Sequence, residues 1–255
     1  MCNRIVLLAC IAAMGISARA DEKERLRAVP FVFVGKADDP QCGGTGTLAG
    51  SNIVTSAWLR GMGLPDDGQD NTTAANLATG APSRRDPHLG LLLNKNGPTA
   101  DCSAAGARIR GVEGRAVEEV FPLGFDIRNG THCGAGSPRF NVTFRPPNSS
   151  QSESRFVGGC ANGVRTPAPQ DLAQWSRVVF ANTGPIVSVF PTPIPGGSRI
   201  ESITLLVDEG TDAWNPPDET ADGVGLSVVD NILVSGQFIR RGDGIAPHGD
   251  SGDDD

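Results

Sequence analysis

The sequence predicts an all-β protein, a sandwich of two antiparallel sheets with few and short helices, and three observations carry that prediction. In Ser202-Ile-Thr-Leu-Leu-Val-Asp208, Ile203, Leu205 and Val207 share one parity, the period-2 signature of a strand with one buried face. An acidic stretch and the run Gly223-Val-Gly-Leu-Ser-Val-Val-Asp-Asn-Ile-Leu-Val234 then read as a loop and a closing strand. Finally, 33 Gly and 19 Pro punctuate the chain and no long stretch repeats every 3.6 residues, which leaves helices little room.

In chain order, Met1 to Ala20 has a basic start at Arg4, an apolar stretch from Ile5 to Ile16 and the small-x-small ending Ala18-Arg19-Ala20, the build of a cleaved secretory signal. The expected organisation is a signal peptide at 1–20, a short lead at 21–27, one sandwich domain at 28–242 and a disordered acidic tail at 243–255. Leu7-Leu-Ala-Cys10 also resembles a lipoprotein box, but cutting there leaves about five apolar residues for a region that needs roughly seven. Strands are expected near 31–34, 52–56, 89–94, 107–112, 117–128 with a break at Pro122, 139–145, 155–159, 175–180, 199–207, 223–228 and 231–239. Residues 61–86, rich in Asp, Asn, Thr and Gly, read as a long loop, and Pro146-Pro-Asn-Ser149 as a hairpin turn.

Removal of the signal takes Cys2 and Cys10 and leaves Cys42, Cys102, Cys133 and Cys160, an even number that implies two disulfides in an oxidising compartment. The hairpin around Pro146 brings Cys133 and Cys160 together, and Cys42 with Cys102 follows by elimination. A structural zinc site is the alternative use of these thiols, but the chain lacks the paired CxxC spacing. Loss of Arg4 and Arg19 leaves 20 basic against 29 acidic residues, a net charge of −9, which excludes the overall basic field of a nucleic-acid binder. No other apolar run approaches the ~18 residues needed to span a bilayer. The protein is expected outside the cytoplasm, extracellular or periplasmic, with its oligomeric state open.

The order in which Leu123-Gly-Phe-Asp-Ile-Arg128 precedes Phe140-Asn-Val-Thr143, Trp175-Ser-Arg-Val-Val-Phe180, Ile203-Thr-Leu-Leu-Val207 and Val229-Asp-Asn-Ile-Leu-Val234 resembles secreted jelly-roll modules. These are the carbohydrate-binding-module, MAM and galactose-binding-like folds, whose last strand often reads Asp-Asn-Ile. The string Gly130-Thr-His-Cys-Gly-Ala-Gly-Ser-Pro-Arg-Phe-Asn-Val142 is similar to one in secreted bacterial proteins. The likeness covers about residues 86–240. It implies a jelly-roll sandwich that presents a surface to a glycan or an extracellular matrix component, and often a structural calcium ion near the terminal strand.

Three candidate surfaces follow. In an unbroken strand Asp230 shares parity with Val228, Ile232 and Val234 and points into the core, where a carboxylate must be paired or coordinated. With Asp208, Asp212 and Asp222 it makes a set of hard oxygen ligands suited to calcium; a β-bulge turning Asp230 outward, or backbone N–H donors to it, are the alternatives. Opposite the apolar positions Phe125, Ile127, Phe140, Val142 and Phe144, Arg128, Arg139, Asn141 and Arg145 are expected on one sheet face. Their guanidinium groups suit carboxylated or sulfated sugars. The chain has no Tyr; of its three tryptophans, Trp175 is expected in the core and Trp58 partly buried, and Trp214, in a proline-flanked acidic loop, is the stacking platform.

Catalytic signatures fail on chemistry. Gly249-Asp-Ser-Gly252 matches a serine-protease nucleophile motif, but Ser251 lies four residues from the last position and Trp58-Leu59 stand where a base histidine should follow Ser56-Ala57. His132 is expected to serve as a hydrogen-bonding turn residue, since no spacing brings it a serine, an aspartate or a second histidine. The expectation is a secreted, non-catalytic module that binds carbohydrate or a matrix component. A polysaccharide-acting hydrolase or lyase on the same scaffold, and a structural protein with no small ligand, are the alternatives.

Overall fold

Alternation of apolar and polar residues decides which side of each strand is buried, and in the computed structural model that alternation builds two facing sheets. The structure describes residues 25–34, 53–65, 87–96, 103–209 and 225–242. The signal segment, Cys42, Cys102, Asp212, Trp214, Asp222 and the acidic tail lie outside the described residues. The six-stranded sheet runs in the order β1 (Arg27–Val34), β4 (Ser103–Arg110), β11 (Arg199–Val207), β6 (Arg139–Arg145), β7 (Glu153–Gly158) and β10 (Val189–Phe190). The seven-stranded sheet runs β2 (Ile53–Leu59), β3 (Gly90–Asn96), β12 (Gly225–Val234), β5 (Leu123–Arg128), β9 (Asp171–Phe180) and β8 (Val164–Ala168), with β13 (Gln237–Ile239) also on β12. Every pairing is antiparallel. The only helical elements among the described residues are single 3-10 turns at Val117–Glu119 and Cys160–Asn162. The all-β, two-sheet expectation holds, and the crossovers between non-consecutive strands are compatible with a jelly roll.

The core lies between the sheets. Val32, Ile109, Ile203, Leu205, Val142 and Phe144 come from one side, and Val54, Leu91, Leu93, Val229, Ile127 and Val178 from the other. Phe125 of β5, Phe180 of β9 and Phe140 of β6 meet across the layer, with ring centroids 5.5 to 6.1 Å apart. Each such ring, removed from water, contributes about 1.5–3 kcal/mol. The hairpin β6–β7 pairs Arg139 with Gly158 and Phe144 with Glu153 around the Pro146–Ser149 turn. Its outer ends are closed by the Cys133–Cys160 disulfide, as expected, with the two Cα atoms 5.1 Å apart.

Four local readings need correction. Val117–Glu119 coils into a 3-10 turn, and the strand expected there begins only at Leu123, beyond Pro122. The expected strands at 223–228 and 231–239 are one strand, β12, and the separate short β13. Strands β8 and β10 are additions: β8 is a largely exposed edge strand carrying Pro167, and β10 has two residues, so neither shows a usable period. The polar face expected to run from Arg128 to Arg145 does not exist as one surface. Phe125 and Ile127 belong to one sheet and Phe140, Val142 and Phe144 to the other, so residues opposite them point to opposite outsides of the sandwich.

Asp230 follows the bulge alternative. The register of β12 against β5 shifts between Asp230 and Leu233, and Asn231 adopts a φ of 44° there. Val229 and Ile232 stay in the core while Asp230 turns to the outer face of the seven-stranded sheet. It is nonetheless only 1 % exposed. Residues 61–65, which follow β2, fold over this face and add a second apolar cluster of Leu64, Ala168, Trp175 and Val228. Gly63 makes the approach possible, because a Cβ there would fall 2.6 Å from the Asp230 carboxylate. Beneath this cover Asp126, fully buried, is held by both arms of Arg177 at 2.8 Å and by Asn231 Nδ2 at 2.7 Å. Asp230 accepts from the Leu64 and Asn231 N–H groups at 2.7 and 2.6 Å.

Candidate functional site

On the outer face of the six-stranded sheet, adjacent strands put Asn141 of β6, Phe156 of β7 and Phe190 of β10 directly opposite one another. Directly opposed antiparallel residues share a face, and these three form a row across the sheet edge. Phe156 is 52 % exposed and Phe190 42 %, against full burial of Phe140 one position before Asn141. Arg139 flanks the row with its guanidinium 4.9 Å from the Phe156 ring centroid, and its Nε donates to Asn141 Oδ1 at 3.2 Å. Arg139, Phe156 and Phe190, with Ala135, Gly136, Gly158, Gly159 and Asn162, line a groove of about 430 Å³, and Asn141 lies beside it. That volume is of the size that takes a small ligand.

The back of the groove is fixed by bonds that no local spacing predicts. Arg139 grips Asp208 bidentately, at 2.6 Å for Oδ1, and also donates to Gly136 O at 2.9 Å. Beside it Glu209 Oε2 lies 3.2 Å from His132 Nε2, and the His132 side chain is only 6 % exposed. Lys95, buried at the end of β3, donates through Nζ to the Asp208 carbonyl at 2.7 Å. The loop 130–138 is pinned from its other side, where His132 N donates to Leu226 O and Ser227 Oγ to His132 O. The disulfide joins this loop to residues 160–162, and Ala161 N donates to Gly134 O while Asn162 Nδ2 donates to Ala135 O and Gly158 O. The groove floor is thus a cross-linked pair of loops. Such a site is set before any ligand arrives.

Of the residues singled out in the sequence, the structure brings Arg139, Asn141 and Asp208 together here. Arg145 lies at the far end of β6, about 20 Å along the strand, and pairs with Glu201. Arg128 is exposed at the end of β5 in the other sheet, opposite Trp175. Asp208 and Asp230 do not converge. Asp208 is tied beside Lys95, which pairs with Gly225, whereas Asp230 lies five residues further along β12 under its own cover. Among the described residues no three acidic, histidine or cysteine side chains gather as a metal set. Trp175 is buried as expected, but in the outer cluster; Trp58 is buried too, with Nε1 donating to Ala28 O at 3.0 Å.

His132 finds its partner in Glu209, 77 positions away, and no described hydroxyl or thiol bonds its ring. With the imidazole buried and both neighbouring carboxylates engaged by basic side chains, the cluster is built to hold loops and orient Arg139. Phe156 and Phe190 are the residues that sequence reasoning missed. The signal for Phe156 was present: in Glu153-Ser-Arg-Phe-Val-Gly158 it has the parity of Ser154, opposite that of Val157. Phe190 carried none, since a two-residue strand has no period. The described residues contain no helix long and apolar enough to cross a membrane. No family model, curated protein or solved structure matches this chain.

Proposed function

We propose that this chain is an exported, non-catalytic β-sandwich module that binds carbohydrate in the groove edged by Phe156 and Phe190. The observation that supports it is the exposed aromatic row with a guanidinium and an amide beside it. Sugars present apolar C–H faces that stack on such rings and hydroxyl groups that hydrogen-bond to planar polar side chains. A rigid floor keeps the ordering cost of binding low. Export accords with the Cys133–Cys160 bond, since such staples persist outside the reducing cytoplasm.

The test is a glycan array probed with the mature chain, followed by affinity electrophoresis in the retaining glycan for the unaltered protein, Phe156→Ala and Phe190→Ala. Retention that each substitution weakens, with no new reducing ends released, is the expected result. Release of reducing ends by the unaltered chain would replace this reading with the hydrolase or lyase. Retention indifferent to both substitutions would move the ligand away from the groove.

A further inference from the structure

A second concavity lies at the other end of the molecule, where the first and last described segments meet. Residues 25–29 and 238–242 run side by side there, held by Trp58, whose indole donates to Ala28 O and abuts Gly242. They enclose a cavity of about 700 Å³ with Leu89. Its described lining carries four arginines, Arg25, Arg27, Arg240 and Arg241, and no acidic residue. A chain with only 22 basic residues against 29 acidic ones has concentrated four of them around one hollow. The Phe238 ring is flanked by Arg240 at 5.5 Å and Arg177 at 4.6 Å, and Arg240 Nε is buried with no hydrogen-bond partner among the described residues.

We propose that this cavity binds an anionic oligosaccharide, one bearing sulfate or carboxylate groups, independently of the aromatic groove. Guanidinium forks match such groups two bonds at a time. A nucleic acid is the poorer fit. It presents one charge per about 1.7 Å along a rod and calls for an extended basic surface, whereas these arginines ring a single hollow on a chain of net charge −7.

The probe is a size-defined heparin oligosaccharide, titrated calorimetrically into the mature chain near 100 mM salt, with a short DNA duplex in a parallel arm. Arg240→Ala/Arg241→Ala is compared with Arg165→Ala/Arg199→Ala, which removes the same charge from exposed positions elsewhere. The expected result is roughly a tenfold or greater loss of oligosaccharide affinity in the first double variant, a shallower salt dependence, and a change within about twofold in the second. Phe156→Ala should leave this binding intact, which separates the two sites. No binding by the unaltered chain, equal loss in both double variants, or equally tight duplex binding would each overturn the proposal. Unchanged thermal melts of both variants exclude misfolding as the cause.

Discussion

On the outside of the seven-stranded sheet, which residues 61–65 partly cover, Arg177 grips a fully buried Asp126; on the outside of the six-stranded sheet Arg139 grips Asp208 beside an open groove. Both pairs are bidentate and both arise from the same alternation, which sends polar residues away from the core. They differ in what lies above them. One face has an added apolar layer, and its carboxylate, Asp126, is sealed into a hydrogen-bonded network with Asn231 and Gln170. The other has exposed phenylalanines and no described cover. Facing outward from a sheet is therefore not the same as facing water.

The largest expected effect breaks the covered pair. Arg177→Ala leaves Asp126 buried with Asn231 as its remaining described donor, and should cost about 3–5 kcal/mol in urea unfolding. Arg145→Ala removes a single-contact ion pair with Glu201 on the six-stranded sheet, where the Arg145 side chain is 53 % exposed, and should cost no more than about 1 kcal/mol. Equal costs would erase the distinction between the faces. Next comes Cys133→Ala/Cys160→Ala, which opens a closure of 27 positions and should cost about 3 kcal/mol. Because that bond ties the groove loops, glycan retention should fall with it under conditions where the protein is still folded. Retention unaffected by the loss would mean that the floor needs no staple.

How far this contrast was legible in the sequence depends on the range of the information. The inward parity of Phe125, Ile127, Phe140, Val142 and Phe144 and the Cys133–Cys160 pairing came from neighbours and one turn, and they hold, as do most strands, though not the one expected at 117–122 or the missed β8 and β10. The membership of those strands in two different sheets did not, because parity states a side of a strand and not which sheet the strand joins. The bulge at Asn231 is of the same kind. One extra residue reverses every later orientation, and Asp230 was readable as core or surface until the register was known. His132 with Glu209, Arg139 with Asp208 and the cover by Leu64 are contacts across 69 to 166 positions, beyond the reach of any local pattern.

Smaller in stability and decisive for function is Phe156→Ala. Half exposed, the ring adds little to the core, so unfolding free energy should change by less than about 1 kcal/mol, measured by the same urea titration. Glycan retention should nevertheless collapse. A large stability loss with retention unchanged would recast the aromatic row as packing and remove the contrast between an open, recognising face and a closed, supporting one.

The smallest effect belongs to a charge on neither face. Glu118, in the 3-10 turn before β5, accepts the Gly197 N–H through Oε1 at 2.8 Å, which together with its own backbone N–H holds its carboxyl below the ordinary glutamate range. A carboxyl depressed by folding contributes stability that is fully present above its unfolded value, about 4.3, and is lost as pH falls through the lower folded value. Glu118→Gln should therefore melt slightly lower than the unaltered chain at pH 6, and the gap should close as pH drops through the acidic range. Because the group is fully exposed, solvent keeps the gap small. A gap that persists unchanged in acid would mean that the bond to Gly197 depends on the shape of the side chain and not on its charge.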